Sequence, residues 1–265
     1  MPHILPSLKS HQMEGKSMKI VFHKDYQKVY SSDPASAPSR MEAIVEELKS
    51  FEFIEPERAT EEDVSLGHWI SHMEHVKGMQ AVYEVALLAV GGAIKASEIA
   101  FTSEPAFGLI RPLGHHASQD SSWGFCYFNN IAIAVDRLRR KNLITKAVIL
   151  DIDLHYGDGT ANIFANVPDV SYHHVAGGNR ENFKDLTRFL NSIPECDIIA
   201  VSAGFDRHEE DWGGVLKTGD YQQTAEMIKD FAEGICKGKR FAVLEGGYNH
   251  EVLGKNVKVF IEGFE

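Results

Sequence analysis

The chain has 265 residues, and its 27 Lys and Arg stand against 38 Asp and Glu, a formal net charge of −11 with histidine neutral. That sign excludes the broad basic footprint that displaces counterions from nucleic acid, so no direct nucleic-acid partner is expected. A hydrophobic content of 43% excludes a disordered chain and predicts a packed core. The length permits two domains but fits one large α/β domain, which is the expectation here. No apolar run approaches the roughly 20 residues needed to span a bilayer. No apolar stretch follows the first residues as in a signal peptide, so a soluble, cytoplasmic protein without membrane contact is expected. Cys126, Cys196 and Cys236 are odd in number, far apart and in no C-x-x-C pair. Those spacings exclude a disulfide framework and a cysteine-type zinc site, so any metal falls to His and carboxylate. Thirteen histidines are a generous supply.

Residues 1–17 have no periodicity and read as an N-terminal extension. Strand-like runs follow at Lys19–His23, Phe107–Arg111, Ala147–Ile152, Val170–Val175, Asp197–Val201 and Arg240–Leu244. Helical spacing of apolar residues occupies Met41–Leu48, Gly78–Ala100, Phe128–Arg140, Arg180–Asn191 and Gly219–Cys236. This alternation predicts an α/β fold of three layers, a mostly parallel sheet covered on both faces. Such sheets bind ligands beyond the carboxyl ends of their strands.

Those ends are unusually polar. They run into Pro112-Leu-Gly-His-His116, Asp153-Leu-His-Tyr-Gly-Asp158, Ser202-Ala-Gly-Phe-Asp206 and Glu245-Gly-Gly-Tyr248. Asp153 and His155, two apart on an extended segment, point to one side and suit a single ion. Asp206 from a neighbouring strand completes one nitrogen and two oxygen donors, leaving positions open for water and substrate. The adjacent His115 and His116 lack such spacing and suit proton transfer, with Asp151 and Asp158 near enough to fix tautomer and charge. Tyr248, after two glycines, is placed to offer its hydroxyl to a developing oxyanion.

Five ordered motifs, R-P-x-G-H-H (111–116), G-F-C-x-F-N-N (124–130), D-I-D-L-H-Y-G-D-G-T (151–160), S-A-G-F-D-x-H (202–208) and L-E-G-G-Y (244–248), closely resemble the metal-dependent histone deacetylase and acetylpolyamine amidohydrolase superfamily. The resemblance implies an arginase/deacetylase-like fold over residues 18–265 and removal of an acetyl or similar acyl group from an amine such as acetyl-lysine. An acetylpolyamine is the alternative substrate, and a non-catalytic acyl-lysine binder the alternative of another class. It implies Zn²⁺, with Fe²⁺ as the alternative, on Asp153, His155 and Asp206. It makes His116 the general base and acid, His115 its electrostatic partner, Asp151 and Asp158 the carboxylates behind them, and Tyr248 the polarising hydroxyl. Gly124 and Phe125 match the substrate tube, and Arg40 a residue near a product channel. K⁺ is implied at the Asp151 loop, although the serine that would help hold it aligns with His174. Self-association is left open.

Departures from the family lie in loops. The loop after His72-Met-Glu-His75 and the stretch from Val175 to Leu190 are short, so a shallow, open site is expected, with Phe183 as a stand-in for the missing aromatic wall. Gly157 stands where binuclear ureohydrolases carry a further aspartate, so one metal is expected. Trp212, in place of a proline, reads either as part of a rebuilt rim or as a packed surface residue. Cys126 is expected to be a small core residue. The basic cluster at Arg137, Arg139, Arg140, Lys141 and Lys146 is expected to be a solvated helix end. His68, His72, His75 and His250 are expected to be structural or rim residues.

Overall fold

The computed structural model describes residues 18–102, 104–178 and 180–265. The predicted extension at 1–17 lies outside them. Seven strands form one all-parallel sheet: β1 Lys19–Val21, β2 Glu52–Ile54, β3 Ala106–Gly108, β4 Ala147–Asp151, β5 Val170–His174, β6 Ile198–Ala203 and β7 Arg240–Leu244. Their order across the sheet is β2-β1-β3-β7-β6-β4-β5. Every residue of β3, β4, β6 and β7 is buried, as both faces of a covered parallel sheet require. The edge strands β2 and β5 are only partly buried.

The helices among the described residues are α1 Arg40–Glu47, α2 Glu61–Val64, α3 Ile70–Lys77, α4 Gln80–Phe101, α5 Asn130–Arg140, α6 Asp158–Phe164, α7 Arg180–Ser192, α8 Thr218–Ile235 and α9 His250–Phe264. Helix α4, rich in Ala, Val, Leu and Gly, lies on β1, β3 and β7 and packs against α5, while α9 packs between α1 and α8. The three-layer architecture predicted from the alternating pattern is the one observed. None of the helices is long and apolar enough to cross a membrane.

One expectation is corrected here. Cys196 and Cys236, 40 residues apart, are paired as a disulfide with Cα atoms 5.6 Å apart. Distance along the chain misled, because Cys196 leads into β6 and Cys236 caps α8 just before β7, and those two strands are neighbours. Cys126 is free and buried, as expected.

Candidate active site

Strands β3, β7, β6 and β4 are consecutive in the sheet, so the loops leaving their carboxyl ends share one edge. All four polar strand ends meet there. Two asparagines of the 124–130 motif hold the loop that carries the histidine pair. Asn129 caps α5 by accepting from Ala132 N (3.1 Å), and its amide donates to Ala117 O and Thr160 Oγ1 (3.0 Å each). The Asn130 amide donates to Pro112 O at 3.0 Å.

His115 and His116 are buried, their rings 4.0 Å apart. Nδ1 of His115 lies 3.0 Å from Asp151 Oδ2, and Nδ1 of His116 lies 2.6 Å from Asp158 Oδ1. His115 Nε2 then faces Asp153 Oδ1 at 3.8 Å, while the Nδ1 bond of His116 leaves its Nε2 toward the cavity. Burial opposes charge on His115, but Asp151, Asp153 and Glu245 outweigh it and hold its pKa well above the usual imidazole value. Burial and the charge of His115 together push His116 the other way. The two rings are therefore biased in opposite directions, His115 toward the charged form and His116 toward the neutral one.

Asp153, His155 and Asp206 offer donor atoms that all lie within 4.8 Å of one another. The first two stand in a bend beyond β4 rather than on an extended strand, with His155 N donating to Asp153 Oδ1 at 2.9 Å. Nδ1 of His155 faces both carboxylates, 3.3 Å from Asp153 Oδ1 and 3.1 Å from Asp206 Oδ2. The buried Asp206 Oδ2 has no hydrogen bond of acceptable geometry. Burial and the adjacent charge of Asp153 push the Asp206 carboxyl up to about 7. Two buried carboxylates around an orphaned oxygen and an imidazole nitrogen fit a divalent cation, which would relieve their repulsion.

The turn carrying Tyr248 is tied to this group. Gly246 N donates to Asp153 Oδ2 at 2.8 Å, and a Cβ at Gly246 would lie 2.5 Å from that oxygen and 2.8 Å from Asp206, so only glycine fits. Arg40, fully buried, donates through Nε to Gly247 O (2.8 Å) and through Nη2 to Glu245 O (2.6 Å), and its guanidinium lies over the Tyr248 ring. Burial pushes the Tyr248 phenol far above its usual range, so it remains a neutral donor.

His115, His116, Trp123, Gly124, Phe125, His155, Trp212 and Tyr248 line a cavity of about 240 Å³. That volume suits an acyl group and a short stem rather than a large ligand. Phe183 does not line it; Trp212 supplies the wall instead, so the rim alternative for this residue is the one observed. A side chain at position 157 would meet Asp151 Oδ2 at 2.2 Å, which leaves no room for a further carboxylate there.

Several contributors escaped the sequence reading. Tyr172 donates to Asp151 Oδ2 (3.0 Å) and accepts from Gly157 N (2.9 Å), fixing the carboxylate behind His115. Glu245 accepts from Gly114 N at 2.8 Å and His115 N at 3.3 Å. Trp123 donates to Asp158. His174 donates through Nε2 to Asp153 O at 2.9 Å, occupying a carbonyl of the loop where the resemblance places K⁺. No sequence signal marked Tyr172 or Trp123, whereas Glu245 stood within a quoted motif.

The remaining histidines with clear partners serve the framework. His68 donates from Nδ1 to Ser118 O and accepts at Nε2 from Asn129 N, both at 2.8 Å, which requires a neutral ring. Burial accordingly pushes its pKa down to about 3. His72 donates to Tyr127 O. Arg137 pairs with Asp63 and Glu98, and Arg139 and Arg140 pair with the buried Asp136, so this helix end is a half-buried ion-pair network.

The histone deacetylase domain model matches residues 34–183 and 178–264. The chain is 30% identical to a probable deacetylase of Methanothermobacter thermautotrophicus, the match covering 85% of this chain and 84% of that protein. It is 32% identical to a probable deacetylase of Archaeoglobus fulgidus, over 88% of this chain and 81% of the relative. The crystal structure of the HDA15 HD domain superposes with a TM-score of 0.81 at 22% identity, covering 94% of this chain and 89% of that one, a likeness of fold. With sequence and fold in agreement, the chain belongs to the histone deacetylase family of amide hydrolases.

Proposed function

We propose that this chain hydrolyses the amide of an acylated primary amine, acetyl-lysine or a similar acyl-lysine, releasing the free amine and the carboxylic acid. The observation that carries this is the split histidine pair beside a carboxylate–imidazole cluster. His116 is neutral, anchored by Asp158 through Nδ1 and free at Nε2, one loop away from Asp153, His155 and Asp206. Those three residues would hold Zn²⁺, with Fe²⁺ suited to the same donors. The bound ion supplies Lewis acidity and acidifies water toward a pKa of about 7.

The chain's own groups do the rest. His116 Nε2 takes a proton from the attacking water and delivers it to the departing amine nitrogen. The His115 imidazolium keeps His116 a poor proton trap and adds positive charge beside it. Tyr248 donates its hydroxyl to the carbonyl oxygen as negative charge develops. Phe125, Trp212 and Trp123 exclude water around the acyl group.

Tyr248→Phe is expected to lower kcat by about 10²- to 10³-fold, as loss of an oxyanion donor does elsewhere, with KM changed only a few-fold. Steady-state kinetics on an acetyl-lysine peptide checks this, and unchanged kcat would remove Tyr248 from the mechanism. The His174 N–H already occupies one lone pair of the Asp153 carbonyl and sits where the resemblance places a serine. Turnover is therefore expected to be equal in K⁺, Na⁺ and tetramethylammonium salts at matched ionic strength, and a several-fold requirement for K⁺ would contradict it. The function itself is tested by metal analysis with assays on an acetyl-lysine peptide, acetylputrescine and a longer acyl-lysine. One metal per chain and turnover of an acyl-lysine are expected; metal uptake with no turnover of any amide would favour the non-catalytic binder.

A further inference from the structure

Two tryptophans stand at the mouth with about half of their surface in water, Trp123 at 56% and Trp212 at 52% exposure. A large aromatic ring left so exposed gains little from burial, so what its covered face touches is informative. Each covers one reacting side chain. The Trp123 ring lies on His116 at 3.9 Å between centroids and 32° between planes. Its indole N–H reaches both oxygens of Asp158, at 2.9 and 3.2 Å. Asp158 is 38% exposed and receives His116 Nδ1 on Oδ1, so the indole N–H ties down a carboxylate that is otherwise partly open to water. His116 is thereby held between two tilted rings, with His115 behind and Trp123 in front.

Across the cavity, Trp212 stacks on Tyr248 at 4.0 Å and 26°, and meets His155 edge-on at 6.2 Å. The Tyr248 ring is also met by the Arg40 guanidinium, 5.7 Å from its centroid, and edge-on by Phe125 at 6.0 Å. The Trp212 loop is tied to the same turn, because Asp211 accepts from Tyr248 N and Asn249 N at 2.8 Å each.

We propose that Trp123 and Trp212 are positioning residues for the hydrolysis: Trp123 fixes Asp158 and through it His116, and Trp212 fixes the phenol of Tyr248. The proposal rests on the amide-hydrolase function above, and it assigns to two exposed indoles the bracing of the proton carrier and the oxyanion donor. Misplacement of a reacting group by a fraction of an ångström to an ångström is enough to cost one to two orders of magnitude in rate.

Trp123→Phe keeps a ring over His116 but deletes the N–H, and Trp212→Leu deletes the stack while Trp212→Phe retains much of it. Trp123→Phe and Trp212→Leu are each expected to lower kcat about tenfold with KM within about twofold, and Trp212→Phe to recover most of the loss. A raised KM with unchanged kcat would overturn the proposal and make the indoles walls for the substrate stem. A second readout is independent of turnover. In nitrogen-15 NMR spectra of the metal-free protein, the Trp123 indole N–H is expected to exchange with solvent more slowly than those of Trp69 and Trp212, and to lose that protection in Asp158→Ala. Equal exchange at all three indoles in the wild-type protein would overturn the bracing of Asp158. Wild-type protein that hydrolyses no amide while keeping the protected N–H would instead refute the hydrolase function and leave this contact established.

Discussion

Asp206→Asn is expected to abolish metal binding and lower turnover by more than about 10³-fold, since the ion supplies several kcal/mol of transition-state stabilisation. The same substitution is expected to make the metal-free protein more stable. Burial and the charge of Asp153 raise the Asp206 carboxyl to about 7 in the fold, against an ordinary carboxylate when unfolded. Between about pH 4 and 7 the folded chain therefore holds a proton that the unfolded chain has released, and the metal-free fold loses stability as pH rises through that window. Asparagine carries no charge to repel Asp153, and its Oδ1 can still accept from Leu154 N, now at 2.9 Å from Asp206. The variant's melting temperature should match that of the wild type near pH 4.5 and exceed it by several degrees near pH 8. Zinc at about 1,000 times its Kd should stabilise the wild type by about 4 kcal/mol and leave the variant unmoved. Thermal denaturation with and without zinc at the two pH values checks each part. A zinc-dependent rise in the variant would show that Asp206 is not a ligand.

That trade of stability for function explains which parts of the molecule could be read from the sequence. The central strands β4, β6 and β7 were legible because burial on both faces demands unbroken apolar runs, and their polar ends stood out against that background. The edge strand β2, three partly exposed residues beginning with Glu52, leaves no such run and was missed. Helix α9 was also missed: Leu253, Val257, Phe260, Ile261 and Phe264 keep a helical spacing, but Gly254 and Gly263 lower the helix propensity of a segment at the end of the chain. The metal and proton-transfer residues were legible for a related reason: Asp153, His155, Asp206 and the histidine pair are costly to bury, so their presence at strand ends needs a purpose. Of the residues that support them, Tyr172 and Trp123 carry no such mark, and Glu245 carries it without showing its partner. Glu245 bonds Gly114 across 131 positions, Tyr172 bonds Asp151 across 21, and Trp123 bonds Asp158 across 35. Each is an ordinary side chain until the fold brings its partner near. The same holds for the Cys196–Cys236 pair, joined only because β6 and β7 are neighbours.

His116→Ala is expected to lower kcat by about 10²- to 10⁴-fold, the usual contribution of a placed general acid and base, with zinc stoichiometry and fold retained. Retention follows from the geometry. His116 is not among the three metal-facing residues, and Asp158 keeps the Trp123 N–H when the imidazole is gone. Turnover equal to the wild type would remove His116 from the mechanism. Its neighbour gives the companion result with the opposite signature. Burial and the His115 imidazolium, 4.0 Å away ring to ring, both depress the pKa of His116, so the base remains unprotonated below the usual histidine range. His115→Phe keeps the ring volume but removes that positive charge, and it also leaves Asp151, Asp153 and Glu245 without the cation that faces them. Both changes favour a proton on His116. The acid limb of kcat/KM in His115→Phe should therefore move to higher pH than in the wild type, whereas His116→Ala should lose the limb altogether. An acid limb that stays in place in His115→Phe would mean that His115 does not set the charge of its neighbour, and that the pair is held together for stacking alone.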